Sequence, residues 1–229
     1  MQGGPHRARC YSDWPVCSGI PRAMESSTLY YVHDPMCSWC WGYRPVWDRL
    51  KQQRPSSLSI VHVLGGLAPD SDVPMPRPLQ ESIQGHWKTI AGKLGTEFNF
   101  DFWEKCQPRR STYPSCRAVI AAEQQDAGER MIDAIQRAYY LRAMNPSDKN
   151  TLVALATELG LDAEQFAANL ADPVTERKLQ QHLQLRRNLG VRSFPSLVLE
   201  HSGQRFAVPL DYHSERPSLD FIDSVRSGN

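Results

Sequence analysis

Residues 28 to 33 (TLYYVH) form an almost unbroken run of aromatic and β-branched side chains, the pattern of a strand buried on both faces. The run stops at Asp34-Pro35. A few residues on, Tyr43, Val46, Trp47 and Leu50 fall at i, i+3, i+4 and i+7, which is one face of a helix. Pro45 lies inside that pattern, removes a backbone donor and predicts a kink. After a turn at Arg54-Pro55-Ser56-Ser57, residues 58 to 64 (LSIVHVL) read as a second strand. Strand, helix and strand in this order predict parallel strands joined by a right-handed crossover.

Gly65-Gly66 ends the second strand, and the pattern then changes. A proline-rich loop (69 to 78), a helix near 80 to 94 and an aromatic stretch (98 to 103) come first. Apolar positions at helical spacing follow: Ile132, Ile135 and Tyr139 with Arg142, then Leu152, Leu155, Ala156 and Leu159, then Leu179, Leu183 and Leu189. Asn145-Pro146-Ser147-Asp148 and Gly160-Leu161-Asp162 are turn and capping signals between short helices. No linker composition separates this part from its flanks, so it reads as an insertion and not as an independent domain. After Ser193-Phe194-Pro195, residues 196 to 200 form a third strand, Ser202-Gly203-Gln204 a turn and residues 205 to 208 a fourth strand. A helix over 218 to 225 turns Leu219, Ile222 and Val225 inward. The expected class is α/β, with a β-α-β … β-β-α core over residues 26–68 and 190–227 and a large all-helical insertion over 69–189, between the second and third strands. Residues 1–25 show no period and read as a disordered extension; Met24 is a candidate start of the working chain. There is no internal repeat and no low-complexity tract.

Composition narrows the partners. In 229 residues, 41% are hydrophobic and 22% charged, with a net charge of +1, which gives no electrostatic reason to expect nucleic acid or an acidic membrane. A protein or small-molecule substrate is expected. No apolar run is long enough to span a bilayer, and the N-terminal residues lack an apolar core followed by a small-residue cleavage site, so a cytoplasmic location is expected. Six cysteines are few for a disulfide framework of this length, and reduced thiols are the default.

Only Cys37 and Cys40 are closely spaced, and they stand where the first strand gives way to the helix. At a helix N-terminus the unpaired backbone N–H groups and the macrodipole favour a thiolate. Cys37 is therefore expected to be the exposed nucleophile. Cys40, one turn deeper, is expected to be the more buried resolving thiol. Ser38-Trp39, between them, tune the couple. The competing reading of a Cys-x-x-Cys is half of a zinc site. It needs two further ligands, and the other cysteines are spaced Cys10-x6-Cys17 and Cys106-x9-Cys116, which leaves only the strand residues His33 and His62 as candidates. The strand-to-helix context favours redox chemistry, and no metal is expected.

The segment Asp34-Pro35-Met36-Cys37-Ser38-Trp39-Cys40-Trp41-Gly42 resembles the active-site segment of the DsbA-like family of thioredoxin-fold proteins, in its FrnE-type disulfide isomerase branch. Gly65-Gly66-Leu67-Ala68-Pro69, residues 98 to 103, Tyr113-Pro114-Ser115-Cys116-Arg117-Ala118 and residues 189 to 196 extend the resemblance over roughly residues 27 to 225. It implies a thioredoxin-like core carrying a helical insertion, and a thiol–disulfide oxidoreductase or isomerase acting on protein or low-molecular-weight thiols. No bound cofactor is implied; glutathione is a candidate co-substrate. The resemblance also implies that Phe194-Pro195 holds a cis proline opposite the cysteines and that Ser38, Trp39, Phe194 and Pro195 border the substrate. Phe194 is bulkier than its counterpart in many members of the superfamily. Read from its own residues alone, Phe194-Pro195 serves equally as an ordinary trans turn at a strand start.

Other features carry blander readings. Trp39 is forced toward the active-site surface, whereas Trp47 reads as core. Arg109-Arg110 reads as a solvated loop, Cys116 as a buried small hydrophobe at a helix start, and a Cys106–Cys116 disulfide is weakly motivated. The alternative function is a redox-sensing or zinc-holding adaptor module of the same fold that binds a partner protein, as a related DsbA-like branch does. A glutathione-dependent isomerase or transferase is disfavoured, because a complete Cys-x-x-Cys would be unnecessary there. Oligomeric state and the direction of electron flow are left open by sequence.

Overall fold

Strand β1 (Ser27–His33) lies at the centre of a sheet of order β2-β1-β3-β4, which explains why its sequence shows almost no polar alternation. Helix α1 (Ser38–Gln53) crosses from β1 to β2 (Leu58–Leu64), and the two strands pair in parallel from Ser27↔Leu58 to His33↔Leu64. Helices α2 (Arg77–Leu94), α3 (Phe102–Lys105), α4 (Tyr113–Glu123), α5 (Gly128–Leu141), α6 (Lys149–Glu158), α7 (Ala163–Ala171) and α8 (Pro173–Asn188) follow. The chain then returns through β3 (Ser196–His201), antiparallel to β1, and β4 (Gln204–Val208), antiparallel to β3, to end in α9 (Arg216–Ser227). This is a mixed α/β thioredoxin-like fold with a helical insertion. The structure is a computed structural model and describes residues 27–228; the expected N-terminal extension, with Cys10, Cys17 and Met24, lies outside the described residues.

Differences from the sequence reading sit at element ends. Helix α2 begins at Arg77 and α9 at Arg216, each a few residues earlier than the apolar pattern suggests, because Pro78 and Pro217 occupy first-turn positions where a missing N–H costs nothing. Gln204 belongs to β4, so the hairpin loop is only Ser202-Gly203, both at positive φ (51° and 75°), a two-residue turn matched to strand twist. Pro45 lies inside α1, as the sequence places it, and the helix runs from Ser38 to Gln53.

Two apolar clusters hold the molecule together. The first packs Tyr43, Val46, Trp47 and Leu50 of α1, with Leu219 and Ile222 of α9, onto Leu29, Leu197 and Leu199 of the sheet. The second lies among α2 to α8 and reaches the sheet end through Met36 and Leu64. Trp87 is the hub of the second cluster: fully buried, it stacks on Phe98 at 5.1 Å and meets the edges of Tyr139 and Tyr140 at 5.4 and 5.3 Å. Helix α1 joins the two clusters. Its Trp41 ring stacks on Tyr140 at 5.6 Å, while Arg44–Asp133 (2.6 Å) and Lys51–Glu129 (2.8 Å) tie its flank to α5. No helix among the described residues is long and apolar enough to cross a membrane. Trp87→Ala removes the hub and is expected to cost about 3–5 kcal/mol, read as a lower urea midpoint of unfolding.

Candidate active site

The turn from β1 into α1 is closed by Cys37 N–H donating to the Asp34 carbonyl at 3.0 Å. Cys37 is the N-cap of α1, with extended backbone angles (φ −84°, ψ 117°) and no side-chain cap bond. The side chain thus starts from the N-terminal end of the helix, and its sulfur has a carbonyl from another loop as a polar neighbour. Across from it, the Phe194–Pro195 peptide is cis, and the Phe194 carbonyl oxygen lies 3.6 Å from Cys37 Sγ. That loop corrects one expectation: Cys37 is only 7% exposed, because the N-cap sulfur lies under the Phe194 carbonyl instead of projecting into solvent. Cys40, in the first turn of α1, is fully buried. Burial pushes its thiol well above the usual cysteine range, and the neighbouring Cys37 sulfur pushes it the same way.

The flanking residues are placed as follows. Ser38 and Trp39 are half-buried, and the Trp39 ring meets Tyr212 edge-on at 5.3 Å, on the side of the α9 approach. Phe194 is half-buried with the Arg186 guanidinium 5.9 Å from its ring, and Pro195 is buried. Gly65 underlies this arrangement, since a Cβ there would stand 2.3 Å from the Phe194 ring. Trp47 belongs to the core, stacked on Tyr31 at 4.1 Å.

The residue that sequence reasoning passed over is Asp34, noted there only as the end of the first strand and the start of the cysteine segment. It is fully buried. Its Oδ1 accepts from Met36 N–H at 2.8 Å, and its Oδ2 from Leu67 N–H and the Thr112 hydroxyl, each at 2.7 Å, with the Cys116 thiol at 3.7 Å. Burial pushes its carboxyl up, against the lowering effect of the bonds from Leu67, Thr112 and Met36. The available signal was an Asp directly after a buried strand and before a proline, positioned to bond the N–H two residues on. The partners Leu67 and Thr112, 33 and 78 residues away, leave no such trace.

Other candidates resolve locally. Cys106 donates to the Ala143 carbonyl at 3.0 Å while Cys116 turns to Asp34, and the four described cysteines are free thiols. Arg109 is not a solvated residue: it donates to the Ser147 carbonyl at 3.0 Å and pairs with Asp148, tying the loop before α4 to the start of α6. His33 and His62 meet edge-to-face at 5.3 Å, and among the described residues no group of three or more His, Cys, Asp or Glu side chains is arranged to hold a metal ion.

A family model described as thioredoxin matches residues 30–208. The ClpXP adapter protein SpxH of Bacillus subtilis is 27% identical over 205 residues, covering 86% of this chain but 66% of that protein, so the chain spans just under two thirds of that relative's length. Among solved structures, a candidate protein disulfide isomerase from Nitrosomonas europaea aligns with a TM-score of 0.78 and 26% identity, over 90% of this chain and all of that one (100%). The cytosolic disulfide reductase DsbM from Pseudomonas aeruginosa aligns with a TM-score of 0.70 and 27% identity, over 88% of this chain and 100% of that one; a DsbM structure with GSH aligns at 0.68.

Asp34 also makes a pH signature. Its carboxyl is raised above the ordinary 3.8, so in the window above that value the folded state holds a proton that the unfolded chain has released. Stability is present below the window and lost as pH rises through the elevated value. Urea unfolding across this range is expected to show wild-type stability falling relative to Asp34→Asn, with the two curves running parallel beyond it.

Proposed function

Because the chain belongs to the thioredoxin family and groups with its DsbA-like members, we propose that it is a thiol–disulfide oxidoreductase working through a mixed disulfide at Cys37. The observation that carries the reading is the placement of the two sulfurs. Cys37 caps α1 under the carbonyl of the cis-proline loop, and Cys40 lies buried one turn deeper. In the reducing direction the Cys37 thiolate attacks one sulfur of a substrate disulfide. A Cys37–substrate S–S bond forms, and the other half leaves as a thiolate. Cys40, as thiolate, then attacks Cys37 Sγ; the Cys37–Cys40 disulfide forms and the second substrate sulfur departs with the electron pair. The protein pair loses two electrons and the substrate gains them; run backwards, the sequence donates a disulfide.

Ser38, Trp39, Phe194 and Pro195 border the sulfur and are assigned to substrate contact. The substrates are protein or low-molecular-weight thiols. Glutathione is favoured among the latter by the likeness to a disulfide reductase solved with GSH. No bound cofactor is needed for these steps. A cytoplasmic setting is supported by the likeness to a protein described as cytosolic, and there the pair is assigned a reducing or intermediate potential.

A second reading is favoured by one observation, the similarity to SpxH adapters. In it the same face holds a partner protein and the cysteines report redox state. The readings separate on one experiment. Cys40→Ser is expected to accumulate a Cys37-linked adduct with glutathione or a peptide disulfide, visible by intact mass, and Cys37→Ser to form none. Unchanged thiol exchange in both variants would sink the enzyme assignment, and partner capture that survives loss of both cysteines would favour the adaptor.

A further inference from the structure

On the side of α1 away from the Phe194 loop, a cavity of about 50 Å³ lies between the sheet and α5, and both Cys40 and His33 contribute to its wall. A water needs about 10–15 Å³ of such space together with polar partners, so the cavity accommodates a few. His62 and Glu129 line it as well, from its outer side. His33 is fully buried, and its Nδ1 has no hydrogen-bond partner. Its Nε2 lies 3.3 Å from His62 Nδ1; His62 Nε2 is itself buried without a hydrogen-bond partner, with Glu129 Oε1 3.4 Å away as its nearest charged neighbour. The Glu129 side chain is 60% exposed. The series thus connects the wall beside the buried thiol to solvent.

We infer that His33, His62 and Glu129 carry the proton of Cys40 to and from solvent during the resolving step, an inference that rests on the mixed-disulfide reading above. The step requires such a route. Cys40 attacks only as a thiolate, yet its thiol is wholly enclosed and ionises reluctantly. Asp34, the nearest buried carboxylate in sequence, already receives Met36 on Oδ1 and Leu67, Thr112 and Cys116 on Oδ2, and the Cys40 thiol is not among these donors. In the step, the Cys40 proton passes through cavity water to His33 Nδ1. The proton on His33 Nε2 moves to His62 Nδ1, and that on His62 Nε2 moves to Glu129 or bulk water. The Cys40 electron pair forms the bond to Cys37 Sγ, the substrate sulfur leaves with the pair of the broken bond, and it is protonated from solvent.

The surroundings suit transit and not storage of a proton. Arg44 and Lys51 of α1 face the site with Asp48, Glu129 and Asp133 of α5 lie opposite, and His182 and Lys178 approach from α8. Burial first, then His62 and His182, hold His33 neutral. His62 and Lys51 hold the Glu129 carboxyl down to about 2, so the exit group stays an ionised acceptor.

The test times the reaction of the reduced full chain with oxidised glutathione by acid quench and mass spectrometry, following appearance and decay of the Cys37–glutathione adduct. His62→Gln and Glu129→Gln lie toward the surface and spare the buried imidazole. Both are expected to leave adduct appearance unchanged and to slow its decay roughly tenfold at neutral pH. The gap should close as pH rises and hydroxide takes over as the acceptor at the outer end of the route, and the solvent deuterium effect on decay should change. Glu129→Asp should restore the rate. Decay within twofold of wild type, or slowed equally at every pH, overturns the route while leaving the mixed disulfide intact. If Cys40→Ser forms no Cys37 adduct at all, the exchange reading itself falls and the proton route falls with it.

Discussion

A single buried carboxylate gathers the strands of this structure that matter for chemistry. Asp34 lies where β1 ends, and its two oxygens take donors from the cysteine turn (Met36), from the loop after β2 (Leu67) and from the start of α4 in the helical layer (Thr112). Burying a carboxylate is costly, and only a full set of donors makes it tolerable. The constraint works in both directions. The donors have no other acceptor of equal strength, so the cysteine turn, the diglycine loop and the helical insertion are held in one register around the sulfur.

Around that point the protein is built as two apolar cores that share a helix. Helix α1 gives Tyr43, Val46 and Leu50 to the sheet and turns Trp41 to Tyr140 on the other side. The ion pairs along its flank to α5 are partly exposed and contribute little each; the aromatic stacking and the apolar contacts carry the energy. Because α1 carries both cysteines at its start, any movement between sheet and insertion is felt at the sulfurs. The position of Cys37 under the Phe194 loop therefore depends on packing far from it.

What sequence could tell depended on how local the cause was. The strand β2 is legible to the residue because LSIVHVL is bounded by a Pro-Ser turn and by two glycines. The parallel pairing of β1 with β2 follows from the length of the crossover, and the helical layer from its apolar spacing. Helix starts were missed where proline stands in the first turn, since apolar periodicity begins only after it. At the site, the sulfurs and their order in depth were legible from the junction of strand and helix, but the enclosure of Cys37 was not, because the covering carbonyl comes from 157 residues away. The role of Asp34 as a clamp, the bond from Arg109 to the Ser147 carbonyl and the meeting of His33 with His62 across neighbouring strands are likewise products of the assembled fold.

The contact between Gly65 and Phe194 makes two positions behave as one variable. The ring of Phe194 fills the volume that any side chain at position 65 would need, so the width of the groove beside the cis proline is set jointly from the end of β2 and from the loop before β3. Remodelling the protein for a bulkier or slimmer substrate is then a matter of paired exchange. A smaller residue at 194 frees the space that a side chain at 65 can occupy, whereas enlarging position 65 alone forces the ring out of its place.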